Sequence, residues 1–162
     1  MKELEAIIDA YENAKETQQA CVLATVVHVE GSSYRRAGAR MLVDENGYMT
    51  GAISGGCLEG DALRTALHAI QRNQNKLVTY DTSDENDAVI GVQLGCNGVI
   101  QVLFEAIDFE DKINPIELLK EANNKKQPMI IGTFFHLDKA NEQLGTRLLI
   151  DQEMSTSGKQ IP

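Results

Sequence analysis

CVLATVVHVEGSSYRRAGARMLVDENGYMTGAI, residues 21–53, packs strand-like and turn-like chemistry into one short stretch. Its first ten residues are rich in β-branched side chains and stop at Gly31-Ser32-Ser33, which reads as a strand running into a loop. ARMLVD (39–44) reads as a second strand, ENG as a turn, and YMTGAI as a return strand. Upstream, Leu4, Ile7, Ile8 and Tyr11 give residues 2–17 the spacing of an amphipathic helix. Downstream, Leu58, Ala62, Leu63, Ala66, Leu67 and Ile70 trace one face of a second helix. KLVTY (76–80) and GVIQVLFEAI (98–107) read as strands. NPIELLKEA reads as a helix with Asn114 as N-cap, Pro115 at its first position and Glu117 placed to close a capping box. PMIIGTFFHL and GTRLLID complete the set as strands. This alternation predicts an α/β fold, a mixed β-sheet flanked by helices, in one domain over residues 1–162.

The opening stretch has an echo. TVVHV (25–29) followed by GARMLVD (38–44) parallels TFFHL (133–137) followed by GTRLLID (145–151). Thr25, His28, Gly38 and Arg40 match Thr133, His136, Gly145 and Arg147, which predicts a degenerate duplication of a strand–loop–strand unit. Residues shared by the two copies read as scaffold, the histidines included. Those unique to the first copy, GSS, the arginine pair and SGGC, are the stronger functional candidates.

A net charge of −9 disfavours general binding to nucleic acid or anionic membrane, both of which need basic surface. No run approaches the ~20 apolar residues of a membrane span, and the N-terminus has no apolar core of a signal peptide. Three widely spaced cysteines, Cys21, Cys57 and Cys96, argue against a disulfide framework. These features predict a cytoplasmic protein.

Three glycine-rich segments carry the chemistry. In GSSYRRAGAR (31–40), Ser32, Ser33, Arg35 and Arg36 offer hydroxyls and guanidinium forks to an anion such as a phosphate. Neither a P-loop nor a GxGxxG fingerprint is present. In SGGCLEG (54–60), Gly55 and Gly56 allow a sharp turn and close backbone approach, and Cys57 falls in the expected first helical turn, where the dipole favours a thiolate. Glu59 and Asp61 oppose that activation, so on this motif alone Cys57 reads as a buried structural cysteine ahead of a reactive thiol. In LGCNG (94–98), Cys96 sits between Gly95 and an Asn-Gly turn, a poor address for a packing residue. Cys21, inside an apolar strand, reads as core, and DTSDENDAV (81–89) as a solvated acidic loop.

Together these segments resemble the N-terminal domain of the XdhC/CoxI family. The resemblance runs through LATVVHVEGSSYRRAGARMLVDENGYMTGAISGGCLEGD and YDTSDENDAVIGVQLGCNGVIQVLFEAI, about residues 20–108. Such proteins are accessory factors of molybdenum hydroxylases: they bind the molybdenum cofactor, support its sulfuration and help insert it. The resemblance implies Cys96 and Cys57 as thiols facing the cofactor and Arg35 and Arg36 as its anion contacts. It places Ser32, Ser33, Gly55, Gly56 and Gly95 along the same site. It also implies a xanthine dehydrogenase-type apo-enzyme and a cysteine desulfurase as partners, with a homo-oligomer compatible, and a cofactor-handling role rather than turnover. Ala37 and Asn97 depart from the family's usual proline and glycine, and the Rossmann-like domain of longer members is expected to be absent. Two rival readings remain: a thiol-dependent or zinc-assisted transferase or hydrolase using Cys57 or Cys96, and a purely structural interaction domain. Against the first, no CxxC or HxxxH pair supplies zinc-ligand spacing.

Overall fold

The computed structural model describes residues 2–33, 35–81 and 97–162. Helix α1 (Lys2–Glu16) leads into a sheet of β1 (Cys21–Ser32), β2 (Arg40–Asp44), β3 (Met49–Gly51), β4 (Lys76–Asp81) and β5 (Asn97–Ala106), in the order β3-β2-β1-β5-β4. Helix α2 (Glu59–Arg72) connects β3 to β4. Helix α3 (Pro115–Asn124) then precedes a second sheet of β6 (Ile130–Phe134), β7 (Gly145–Ile150) and β8 (Thr156–Gly158), in chain order. The fold is α/β as expected. The strands form two sheets, and every pairing among the described residues is antiparallel. No described helix is long and apolar enough to cross a membrane.

Residues 21–26 of β1 are all buried because helices cover both faces of the first sheet. Val22, Ala24 and Val26 point to a core closed by Leu58, Ala62, Ala66 and Ala69 around α2. Cys21 and Leu23 point the other way, into a core of Ile7, Tyr11 and Ala14 from α1 and Ile116 and Leu119 from α3. Burying each large aliphatic side chain stabilises by about 1.5–3 kcal/mol. Beyond Val26, β1 alternates between half-buried and exposed, because only β5 accompanies it there.

Asn114 caps α3 as the sequence implies, its Oδ1 accepting from the Ile116 and Glu117 amides at 2.9 and 3.0 Å. The capping box is not closed by Glu117. That carboxylate turns instead to α1, accepting from the Tyr11 hydroxyl at 2.8 Å and from Lys15 at 3.3 Å.

The duplication holds and runs one strand further than expected. β1-β2-β3 and β6-β7-β8 are equivalent hairpin for hairpin. Val22 and Ala24 pair with Val43 and Met41; their counterparts Ile130 and Gly132 pair with Ile150 and Leu148. In the first copy, Asp44 Oδ1 accepts from the Asn46 and Tyr48 amides. In the second, Asp151 Oδ1 accepts from the Glu153 and Ser155 amides. The Ala52 amide donates to the Arg40 carbonyl, and the Lys159 amide to the Arg147 carbonyl. Gly51 and Gly158, both at positive φ, leave no room for a Cβ against those two carbonyls. A bulge between Gly132 and Thr133 shifts the second copy's register at its far end.

The second sheet is pinned to the first by polar contacts. Asn75 donates to the Gln143 carbonyl and accepts from the Ala106 amide, at 3.2 and 3.0 Å. Glu105, on β5 and 1% exposed, accepts from the Thr146 amide at 2.5 Å. Burial pushes its carboxyl up to about 7, against the pull of Thr146 and Arg40.

Candidate functional site

Strand register sets where the glycine-rich segments meet. Ser32, the last residue of β1, pairs with Asn97, the first of β5, and Asp81 of β4 pairs with Val99. β3 runs in the same direction as β1 and leaves its sheet at Gly51. The segments 33–39, 52–58 and 82–96 therefore all attach at one end of the five-stranded sheet. Among the described residues only β5 follows β1 past Val26, so this end is a step, and the loop after Ser33 folds back into it. There the Gly38 amide donates to the Val26 carbonyl and the Val26 amide to the Ala39 carbonyl, at 2.7 and 2.9 Å.

Within that loop, Ser33 Oγ accepts from the Arg35 amide at 3.3 Å. The Arg35 guanidinium grips the Glu3 carboxylate in two-point fashion, at 2.5 and 3.1 Å. A planar fork on a planar carboxylate is also the geometry by which arginine holds a phosphate. Arg36 is exposed, and Glu3, Arg35, Arg36, Ala37, Gly38 and Ala39 line an open depression of about 470 Å³. Ser32 is exposed beside Asn97.

SGGCLEG closes on itself. Buried Ser54 donates from its hydroxyl to Glu59 at 2.5 Å, and its amide donates to the other carboxylate oxygen at 3.0 Å. The same hydroxyl oxygen accepts from the Gly56 and Leu58 amides. Burial would raise the Glu59 carboxyl, but the Ser54 hydroxyl and neighbouring amides outweigh it and hold the group below its usual range. Gly56 is needed for its φ of 113°, not for close packing, since a Cβ there would meet nothing within 4 Å. Its amide serves the loop itself. Cys57 does not lie in the first turn of α2: Leu58 is the N-cap and Glu59 the first helical residue. Cys57 precedes the cap, half-buried, and packs against the core under α2. Gly55 is exposed beside it.

Arg35 thus engages α1 on one face of the sheet, while Cys57 packs against the core on the other; they share an end of the sheet. Cys96 and Gly95 lie outside the described residues, as does most of the acidic loop, but Asn97, next to Cys96, is the strand partner of Ser32. Cys21 is core, its thiol pushed up to about 12 by burial and then by Asp44. Of the packing and hydrogen-bonding roles expected for the histidines, the second is the one found: His28 is exposed, 3.0 Å from Glu30, and exposed His136 bonds the Gln143 side chain through its backbone. Among the described residues no three His, Cys, Asp or Glu side chains form a metal cluster. Sequence reasoning missed Glu3 and Ser54. Glu3 looks like any acid on a helix surface, but the Ser54–Glu59 spacing around a glycine pair is a signal that a turn-capping search can find.

These loops define an α/β domain with an arginine-lined depression and a cysteine-bearing turn at one end of its main sheet. Residues 14–81 match the model of the XdhC and CoxI family. The chain is 42% identical over 97 residues to a probable xanthine dehydrogenase subunit of Bacillus subtilis (strain 168), covering 60% of this chain and 29% of that protein. It is 33% identical over 82 residues to the molybdenum cofactor insertion chaperone PaoD of Escherichia coli (strain K12), covering 51% of this chain and 25% of that one. A solved structure titled as a xanthine dehydrogenase from Bacillus halodurans superposes with a TM-score of 0.72 at 33% identity. It covers 96% of this chain, which spans 45% of that one. The chain therefore spans under half the length of each of these relatives.

Proposed function

We propose that this chain is the cofactor-handling domain of an accessory protein that matures molybdenum hydroxylases. The observation that carries the reading is the attachment of the arginine, SGGC and LGCNG segments at one end of a single sheet, in a chain similar to a cofactor insertion chaperone. The cofactor is an organic pterin bearing a phosphate and a dithiolene-bound molybdenum, and it would supply the redox chemistry of the enzyme that receives it. The residues present fit its phosphate: Arg35 already holds a two-oxygen anion, and Arg36 stands exposed beside it. Ser32 and Ser33 would add hydroxyl donors, and Gly55, Gly56 and Gly95 a bulk-free rim. Cys57 and Cys96 supply soft thiols suited to molybdenum or to the sulfur installed on it. The domain would hold the cofactor, support its sulfuration beside a cysteine desulfurase, and deliver it to a xanthine dehydrogenase-type apo-enzyme without turning over substrate itself.

The test is retention. Purified protein mixed with molybdenum cofactor under anaerobic conditions is passed through a sizing column, and the co-eluting pterin is oxidised and read by fluorescence. Stoichiometric pterin, reduced at least tenfold by Arg35→Ala with Arg36→Ala, supports the reading. Activation of an apo-hydroxylase should fall in Cys96→Ala. No retained pterin, together with full activation by Cys96→Ala, overturns it.

A further inference from the structure

The duplicated units differ in what covers them. In the first copy, the face formed by Val22, Ala24 and Val26 of β1 with Met41 and Val43 of β2 is sealed, each residue 0–1% exposed. What seals it is α2, through Leu58, Ala62, Ala66 and Ala69. In the second copy the equivalent residues are Ile130, Gly132 and Phe134 of β6 with Leu148 and Ile150 of β7, in the same register at Ile130–Ile150 and Gly132–Leu148. Here Ile130 is 62% exposed and the other four are half-buried. The opposite side of the hairpin matches its template: Leu149, the counterpart of buried Leu42, is 1% exposed, and Ile131, the counterpart of Leu23, packs on the core of α1 and α3. Only the side that α2 covers in the first copy stays open.

Ile130, Leu148 and Ile150 keep the register of their counterparts, and Phe134 follows beyond the bulge; together they give this hairpin an apolar face in a chain of net charge −9. We infer that the outer face of β6 and β7 is a docking surface for an amphipathic α-helix with a stripe of small apolar residues, seated as α2 is seated on β1 and β2. Alanines at i, i+4 and i+7 let α2 approach its sheet closely, as Ala62, Ala66 and Ala69 do. In the second copy the position of Ala24 is Gly132, over which the Leu148 and Phe134 side chains close: a Cβ there would come within 3.1 Å of Leu148 and 3.3 Å of Phe134. The inference is independent of the cofactor reading, since none of these residues belongs to the arginine or cysteine loops.

The probe is a synthetic peptide of residues 58–73, LEGDALRTALHAIQRN, the helix that covers the first copy. Protein carrying labelled Ile and Leu methyl groups is titrated with it and followed by NMR. Saturable shifts at Ile130, Leu148 and Ile150 are expected, with Ile130→Lys weakening binding at least tenfold and an Ala66→Asp peptide failing to bind. Ile130 is already largely exposed, so its substitution leaves the fold intact, which the melting temperature checks. Absence of shifts at millimolar peptide, or shifts confined to other methyl groups, overturns the inference. So does concentration-dependent self-association that protects the same methyl groups, because it puts a second copy on this face.

Discussion

Glu105 and Glu3 are carboxylates that the fold uses in opposite ways. Glu105 is buried with one oxygen on the Thr146 amide and the other without a hydrogen-bond partner, and burial lifts its carboxyl from 4.5 to about 7. Between those two values the folded chain keeps a proton that the unfolded chain has released. Stability from this group is therefore full below about pH 4.5, falls as pH rises, and is gone above about 7. The difference is on the order of 3 kcal/mol. Urea midpoints measured from pH 4.5 to 7.5 should decline in the parent and flatten in Glu105→Gln. A decline of equal size in the variant rejects Glu105 as its source. Glu3, by contrast, occupies the Arg35 fork, where the proposed anionic ligand would bind. Glu3→Gln should tighten inorganic pyrophosphate about fivefold in low-salt calorimetry, and Arg35→Ala should abolish the gain. Equal affinities in parent and Glu3→Gln would show that the carboxylate does not compete.

At the scale of elements, α1 and α3 are fastened by Tyr11. Its hydroxyl donates to Glu117 and accepts from the Asn114 side chain at 3.0 Å, so one oxygen links two helices and the cap of the second. Tyr11→Phe leaves one buried Asn114 N–H without its acceptor and should lower stability by about 1–2 kcal/mol. That is a melting-temperature loss of about 3–6 °C, and an unchanged melting temperature would mean that solvent replaces the link. Most elements were legible in the sequence because both faces of the main sheet are covered, giving unbroken apolar runs such as CVLATV, while α1 and α2 keep clean helical spacing. β8 was not. Thr156–Gly158 is three small residues with no apolar pattern, held by its partner β7 rather than by its own propensity. Nor could spacing tell that the strands divide into two sheets, because that division rests on Asn75 and Glu105 meeting residues some forty or more positions later. The three motifs of the candidate site were legible as sequence, but the Glu3–Arg35 pair was not, since a helix-surface acid carries no mark of a distant arginine.

The whole molecule is one strand–turn–strand unit used twice with different surroundings. The first copy lies under α2 and carries the loops of the candidate site; the second keeps the hairpins and presents an open face. The match was visible in four paired residues, while its extension to the third strand appeared only in the hydrogen bonds of the Asp44 and Asp151 turns. Those twin turns make the protein its own reference standard. Each reports what the other's residues cost in a turn closed by equivalent hydrogen bonds, within one chain and one experiment. The left-handed position is Gly47 in one turn, at φ 83°, and Met154 in the other, at φ 62°. A side chain there costs about 1–2 kcal/mol that glycine avoids. Met154→Gly should therefore stabilise the chain by about 1 kcal/mol in denaturant titration and Gly47→Met destabilise it by a similar amount. If both variants shift stability in the same direction, the two turns are equivalent in shape but not in energy.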